Sequence, residues 1–146
     1  MNVITPTIAR AKEPSMLEIL QPEGWAQPRG YSNGIAATGR VVFVGGQIGW
    51  NEACEFESDD FIDQVRQTLK NIVAVVAAAG GKPEHITSMT WYFLDKAEYL
   101  GNPKGLGAAY REVMGKHFPA MAAVQVAGLV EDRARIEIQA YAVIPE

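Results

Sequence analysis

The chain has a single cysteine, Cys54, and only two histidines, His85 and His117, in 146 residues. One thiol excludes an intrachain disulfide, and two isolated imidazoles form no cluster at metal-ligand spacing, so no metal centre is expected. Basic residues are nowhere concentrated: 13 Lys and Arg are scattered against 17 Asp and Glu, for a formal net charge of −4. Without a basic stripe or an RNP-like aromatic motif, a nucleic-acid partner is not expected. No apolar run approaches the roughly 20 residues that cross a bilayer. The opening "MNVITPTIARAKEPS" also lacks the apolar stretch and cleavage site of a secretory signal. A membrane partner is therefore not expected, and the expected setting is the cytoplasm.

What the chain does have is enough apolar residues, 48% against 21% charged, for one domain with a real core. Residues 1–17, with Pro6 and Pro14 and no sustained periodicity, read as an N-terminal arm, and 18–146 as a single domain. The segment "LQPEGWAQPRGYSNG" (20–34) reads as an ordered loop, because Trp25 and Tyr31 are costly to leave in water. In "IAATGRVVFVGGQIGW", a break at Thr38-Gly39-Arg40 between apolar runs predicts a tight β-hairpin. Gly45-Gly46 near the end of its second strand marks either a bulge or a close approach by a ligand or another backbone.

"SDDFIDQVRQTLKNIVAVVAAAGG" predicts a helix, with Ser58 as N-cap, Gly80-Gly81 as stop, and Phe61, Val65, Leu69, Ile72, Val73 and Val76 as its buried stripe. A strand follows over 86–94. Asn102-Pro103 then opens a second helix carrying Leu106, Tyr110, Val113 and His117 on one face. The segments 120–130 and 134–144 predict a terminal antiparallel hairpin. In the last strand, Ile136, Ile138, Ala140, Ala142 and Ile144 alternate with Arg135, Glu137, Gln139, Tyr141 and Val143. The first set belongs to a core. The order of elements predicts an α+β fold, a mixed β-sheet with two helices on one face. The other face is too apolar for water, which argues for self-association.

These elements, together with "VGGQIGW", "QVRQTLKNIVAVVAAAGG", "FPAM" and "RIEIQAYAV", resemble the Rid family, also called YjgF/YER057c/UK114, over about residues 18–144. The resemblance implies the chorismate-mutase-like YjgF fold and a homotrimer, a trimeric barrel with ligand clefts between subunits. It also implies a small-molecule ligand and no cofactor. Deaminating members hydrolyse 2-imino or 2-enamino acids to 2-oxo acids and ammonia. By that resemblance Glu137 handles the attacking water, while Tyr31, Gly46 and Gln47 match cleft positions.

Three positions depart from the pattern. Met121 stands where deaminating members carry an Arg that grips the substrate carboxylate, Ala123 where a Cys is common, and Gly107 where a helical Asn lines the cleft. Arg29 either supplies a cation from another direction or is a surface residue. The resemblance thus implies an imine or enamine hydrolase whose substrate differs from the usual 2-imino acids, or alternatively a non-catalytic, metabolite-binding or chaperone-like trimer. Cys54, set among acidic residues in a polar loop, and His117, on an apolar helix face, read as structural rather than catalytic.

Overall fold

The computed structural model describes residues 17–146. The expected arm lies outside them except for Leu17, which opens strand β1 (Leu17–Leu20). β1 pairs antiparallel with β2 (Gly34–Ala37) in a two-stranded ribbon. The main sheet has the order β3-β6-β4-β5, from β3 (Arg40–Ile48), β4 (Ile86–Phe93), β5 (Ala120–Gln125) and β6 (Ile136–Ile144). Helix α1 (Phe61–Ala78) and helix α3 (Pro103–Met114) pack side by side, and a short α2 (Lys96–Leu100) precedes α3.

The alternation in the last strand is realised: Ile136, Ile138, Ala140, Ala142 and Ile144 are all buried, and β6 is central. The α1 stripe Phe61, Val65, Leu69, Ile72 and Val76 packs into the same core as Met89, Trp91 and Phe93 of β4. Gln64, 1% exposed, ties helix to sheet. Its Nε2 donates to Ser58 O (3.1 Å) and Arg133 O (3.0 Å), and its Oε1 accepts from the Arg135 amide (2.8 Å).

Several local expectations are corrected. The hairpin across Thr38-Gly39-Arg40 does not form. β3 pairs with β6 instead, because nine residues of β3 meet a long strand with a fully buried face, which outweighs four residues of β2. Gly39 (φ +151°) passes so close to the end of β6 that a Cβ there would collide with the Ile144 carbonyl oxygen. The terminal hairpin does not form either. β5 runs parallel to β4, reached by the crossover through α2 and α3, and β6 inserts between β3 and β4.

The N-cap of α1 is Asp60 rather than Ser58: its carboxylate accepts from the Asp63 amide at 3.0 Å, while Ser58 Oγ receives the Asp60 amide and donates to Asp63. α3 stops at Met114, where Gly115 takes φ +65°, so His117 lies beyond the helix. Its Nε2 lies 2.6 Å from Ile86 O, which makes it a packing residue. Trp25 remains 60% exposed even though its loop is held by Gln21.

Candidate active site

A cavity of about 720 Å³ opens at the β5 edge of the sheet, between α2, α3 and the loop carrying Arg29, Gly30 and Tyr31. Its sheet-side wall includes Trp91, Met121 and Ala123. Met89 pairs with Met121 and Trp91 with Ala123 across parallel strands, so Met121 and Ala123 share the helix-facing side with two core residues. The other wall is aromatic. Tyr110 stacks on Phe118 at 5.2 Å, and Trp91 meets both Tyr99 and Tyr110. The Tyr31 loop is pinned to the start of β5 by Ser32, whose amide donates to Pro119 O (3.0 Å) and whose hydroxyl donates to Phe118 O (2.5 Å).

The polar groups of this cavity are unevenly supplied. Burial pushes the Tyr110 and Tyr99 hydroxyls above the usual phenol range, so both are neutral near neutral pH. Tyr110 spends its proton on His117 O at 2.6 Å. Trp91 Nε1 is the one buried side-chain polar atom without a partner among the described residues. Among the described residues no carboxylate lines the wall, whereas two guanidinium groups do, Arg29 and Arg111. Five of the expected residues therefore meet here: Arg29, Tyr31, Gly107, Met121 and Ala123.

The other three gather elsewhere. Glu137 sits on β6 opposite Tyr92 of β4 and Ile48 of β3. Its neighbours Ile136 and Ile138 face the helices, so Glu137 projects from the open face of the sheet. It is half-buried and makes no hydrogen bond or ion pair with a described residue. The β3 register shifts between Val44 and Gln47, so Gly45-Gly46 is a bulge. It is also a close approach: a Cβ on Gly46 would stand 2.9 Å from Glu137 Cδ. Gln47, next to it, donates to Gly45 O at 3.3 Å. Gly46, Gln47 and Glu137 thus form a notch, separated from the cavity by the thickness of the sheet.

Comparison with known proteins decides the lineage. Residues 25–144 match the family model described as Endoribonuclease L-PSP. The chain belongs to this family, the Rid or YjgF family. Rid-family relatives include a RutC family protein of Pyrococcus horikoshii, 35% identical over 129 residues, 87% of this chain and 98% of the relative. Another is a Salmonella typhimurium protein named 2-iminobutanoate/2-iminopropanoate deaminase, 34% identical over 108 residues, 72% of this chain and 80% of that one. The solved structure of the Escherichia coli YjgF gene product matches at TM-score 0.61 and 35% identity over 77% of this chain and 87% of its own. A Yersinia pestis Rid-family protein of unknown function, YyfB, shares the fold at TM-score 0.79 and 24% identity, over 88% and 99% of the two chains. The α+β Rid fold is established by these matches.

Sequence reasoning missed the aromatic wall of Tyr99, Tyr110 and Phe118, and it missed Arg111. Trp50 packs on Phe56, at 5.8 Å, and Trp91 lines the cavity. Arg111 was findable: it stands four residues after Gly107, on the same helical face. Among the described residues no group of three or more His, Cys, Asp or Glu is placed to hold a metal ion, and no helix is long and apolar enough to cross a membrane.

Proposed function

We propose that this chain is a cofactor-independent, cytoplasmic hydrolase of C=N bonds in a small imine or enamine, working in clefts between the subunits of a homotrimer. The observation that carries this reading is Glu137, a half-buried carboxylate with no partner among the described residues, beside the side-chain-free Gly46. Such a carboxylate is free to accept a proton from water. Water adds to the imine carbon as Glu137 takes that proton; the returned proton goes to nitrogen, the C–N bond of the carbinolamine breaks, and a carbonyl product and ammonia leave.

The division of the site supports assembly. A ligand seated against Met121 and Ala123 cannot touch Glu137 of the same chain, because the sheet intervenes. A neighbouring copy that presents its open face to the β5 edge would bring the two halves together. That open face carries Val41 and Phe43, 51% and 75% exposed in the single chain, with Tyr141 and Val124, an apolar surface suited to burial against another copy. The deaminase name borne by a relative at 34% identity supports this reaction class.

Met121 bears on the substrate. A thioether cannot replace a charge-assisted contact of about 1.5–3 kcal/mol, so a substrate held only by that contact would be turned over ten- to a hundredfold more slowly. The test is ammonia release from imines generated in situ by an amino-acid oxidase or threonine dehydratase. Faster release with wild type than with buffer, abolished in Glu137→Ala, is the expected result. Met121→Arg should raise the rate on 2-iminobutanoate. Wild-type rates equal to buffer on every imine would refute the hydrolase and leave the binding trimer.

A further inference from the structure

Six arginines lie among the described residues. Arg66, Arg133 and Arg135 form ion pairs, and Arg40 donates to Ala79 O. The remaining two, Arg29 and Arg111, make no side-chain hydrogen bond or ion pair with a described residue, and both line the same cavity. An exposed arginine without a partner is ordinary. Two at the mouth of one aromatic pocket, with no carboxylate of a described residue in its wall, leave that pocket with an unmet demand for negative charge.

Arg111 has the more determined position. Its Nη1 lies only 3.1 Å from where a Cβ on Gly107 would be, and its Cζ lies at 3.8 Å. The guanidinium is therefore folded back along α3 into the space that any side chain at 107 would occupy. The absence of a side chain at 107 and the presence of a cation one turn later are a single arrangement. Around the two guanidinium groups lie Tyr99, Leu106, Tyr110, Phe118 and Met121, an apolar body-binding surface. A volume of about 720 Å³ lies in the range of sites that take drug-sized ligands and is far more than a four-carbon acid fills.

We propose that Arg111, seated over Gly107, is the carboxylate-binding cation of this cavity, and that its ligand is a monocarboxylate with an aromatic or bulky aliphatic body. This deepens the reading of the site as an imine hydrolase by naming the substrate class, and it rests on that reading for the reaction but not for binding. A guanidinium is planar and offers two parallel N–H donors to a carboxylate, which a thioether at 121 cannot do. The cation has moved from the strand to the helix, which leaves the strand side of the cavity apolar.

The test is calorimetric titration of the full chain with 3-phenylpropionate, its neutral amide and butyrate. Wild type should bind the aromatic acid at least about tenfold more tightly than either comparator. Arg111→Met should weaken the acid on the order of ten- to a hundredfold and leave the amide within about twofold. Gly107→Asn, which evicts the guanidinium without removing it, should weaken the acid in the same direction. Arg29→Met should have the smaller effect. Equal binding of acid and amide by wild type, no binding of either, or acid binding that survives Arg111→Met but is lost in Arg29→Met would each overturn the proposal. Turnover is not needed for this readout: acid binding through Arg111 without ammonia release refutes the hydrolase alone, and ammonia release without Arg111-dependent binding refutes this inference alone.

Discussion

Replacing Gln64 by leucine removes three hydrogen bonds, two that hold α1 to the segment leading into β6 and one that holds the turn before the helix. The side chain is 1% exposed and bonds Ser58 O, Arg133 O and the Arg135 amide at 2.8–3.1 Å. Leucine has similar bulk and offers none of these partners. Each backbone group left behind costs about 1 kcal/mol where water can reach it and up to about 3 where it cannot. Arg133 and Arg135 lie at the surface, so their backbone groups are partly rescued by water. With the apolar gain of leucine set against these losses, the expected destabilisation is about 2–4 kcal/mol, less than the simple sum because the three bonds act together. Urea unfolding followed by circular dichroism measures it, as a lower midpoint at unchanged slope. Gln64→Glu should be worse, because a carboxylate would face two carbonyl oxygens. A loss below about 1 kcal/mol for Gln64→Leu would refute the claim that this side chain anchors the strand bearing Glu137.

Three further outcomes are expected. Gly46→Ala places a Cβ 2.9 Å from Glu137 Cδ, whereas a Cβ on Gly45 meets nothing within 4 Å. Ammonia release should therefore fall about tenfold or more in the first variant and stay near wild type in the second. Tyr110 and Tyr99 hold their protons more tightly folded than unfolded, so stability is level below the ordinary phenol value and falls above about pH 10, by up to about 1.4 kcal/mol per pH unit for Tyr110 and by less for the half-exposed Tyr99. Denaturation between pH 9 and 11.5 checks it, and Tyr110→Phe should flatten the decline. Light scattering should give a mass about three times 15.9 kDa, and Phe43→Glu, on the open face, should shift it toward the single-chain value.

Much of the fold was legible because periodicity reports burial directly. The period of α1 and the alternation of β6 both reflect a single core, and every residue expected to face inward from β6 does so. Strand partners were not legible. The hairpin expectations rest on nearness along the chain, but β6 gains most by lying centrally, between β3 and β4, and this overrides both turns. The N-cap of α1 is Asp60 and not Ser58 because cap-type residues two positions apart compete and the Asp60 carboxylate reaches the Asp63 amide.

The candidate site divides in the same way. Arg29, Tyr31, Gly107, Met121 and Ala123 were named from sequence and converge on one cavity, and Gly46, Gln47 and Glu137 converge on one notch. That these are two places, on opposite sides of a sheet, follows from the register of β4 with β5 and β6. Arg111 escaped notice because its role depends on a missing side chain one turn away. A glycine in a helix reads as a local weakness until the side chain that occupies its space is seen.

A working site needs the cavity of one copy and Glu137 of another. Ala123→Trp fills the cavity and Glu137→Ala removes the carboxylate, so each variant alone should be inactive. The decisive measurement is ammonia release after equal amounts of the two are unfolded together and refolded. Random assembly makes roughly a quarter of the clefts wild type on both sides, and activity should return to roughly a quarter of the wild-type rate. A mixture as inactive as its components would contradict the account, because it would mean that cavity and carboxylate act within a single chain.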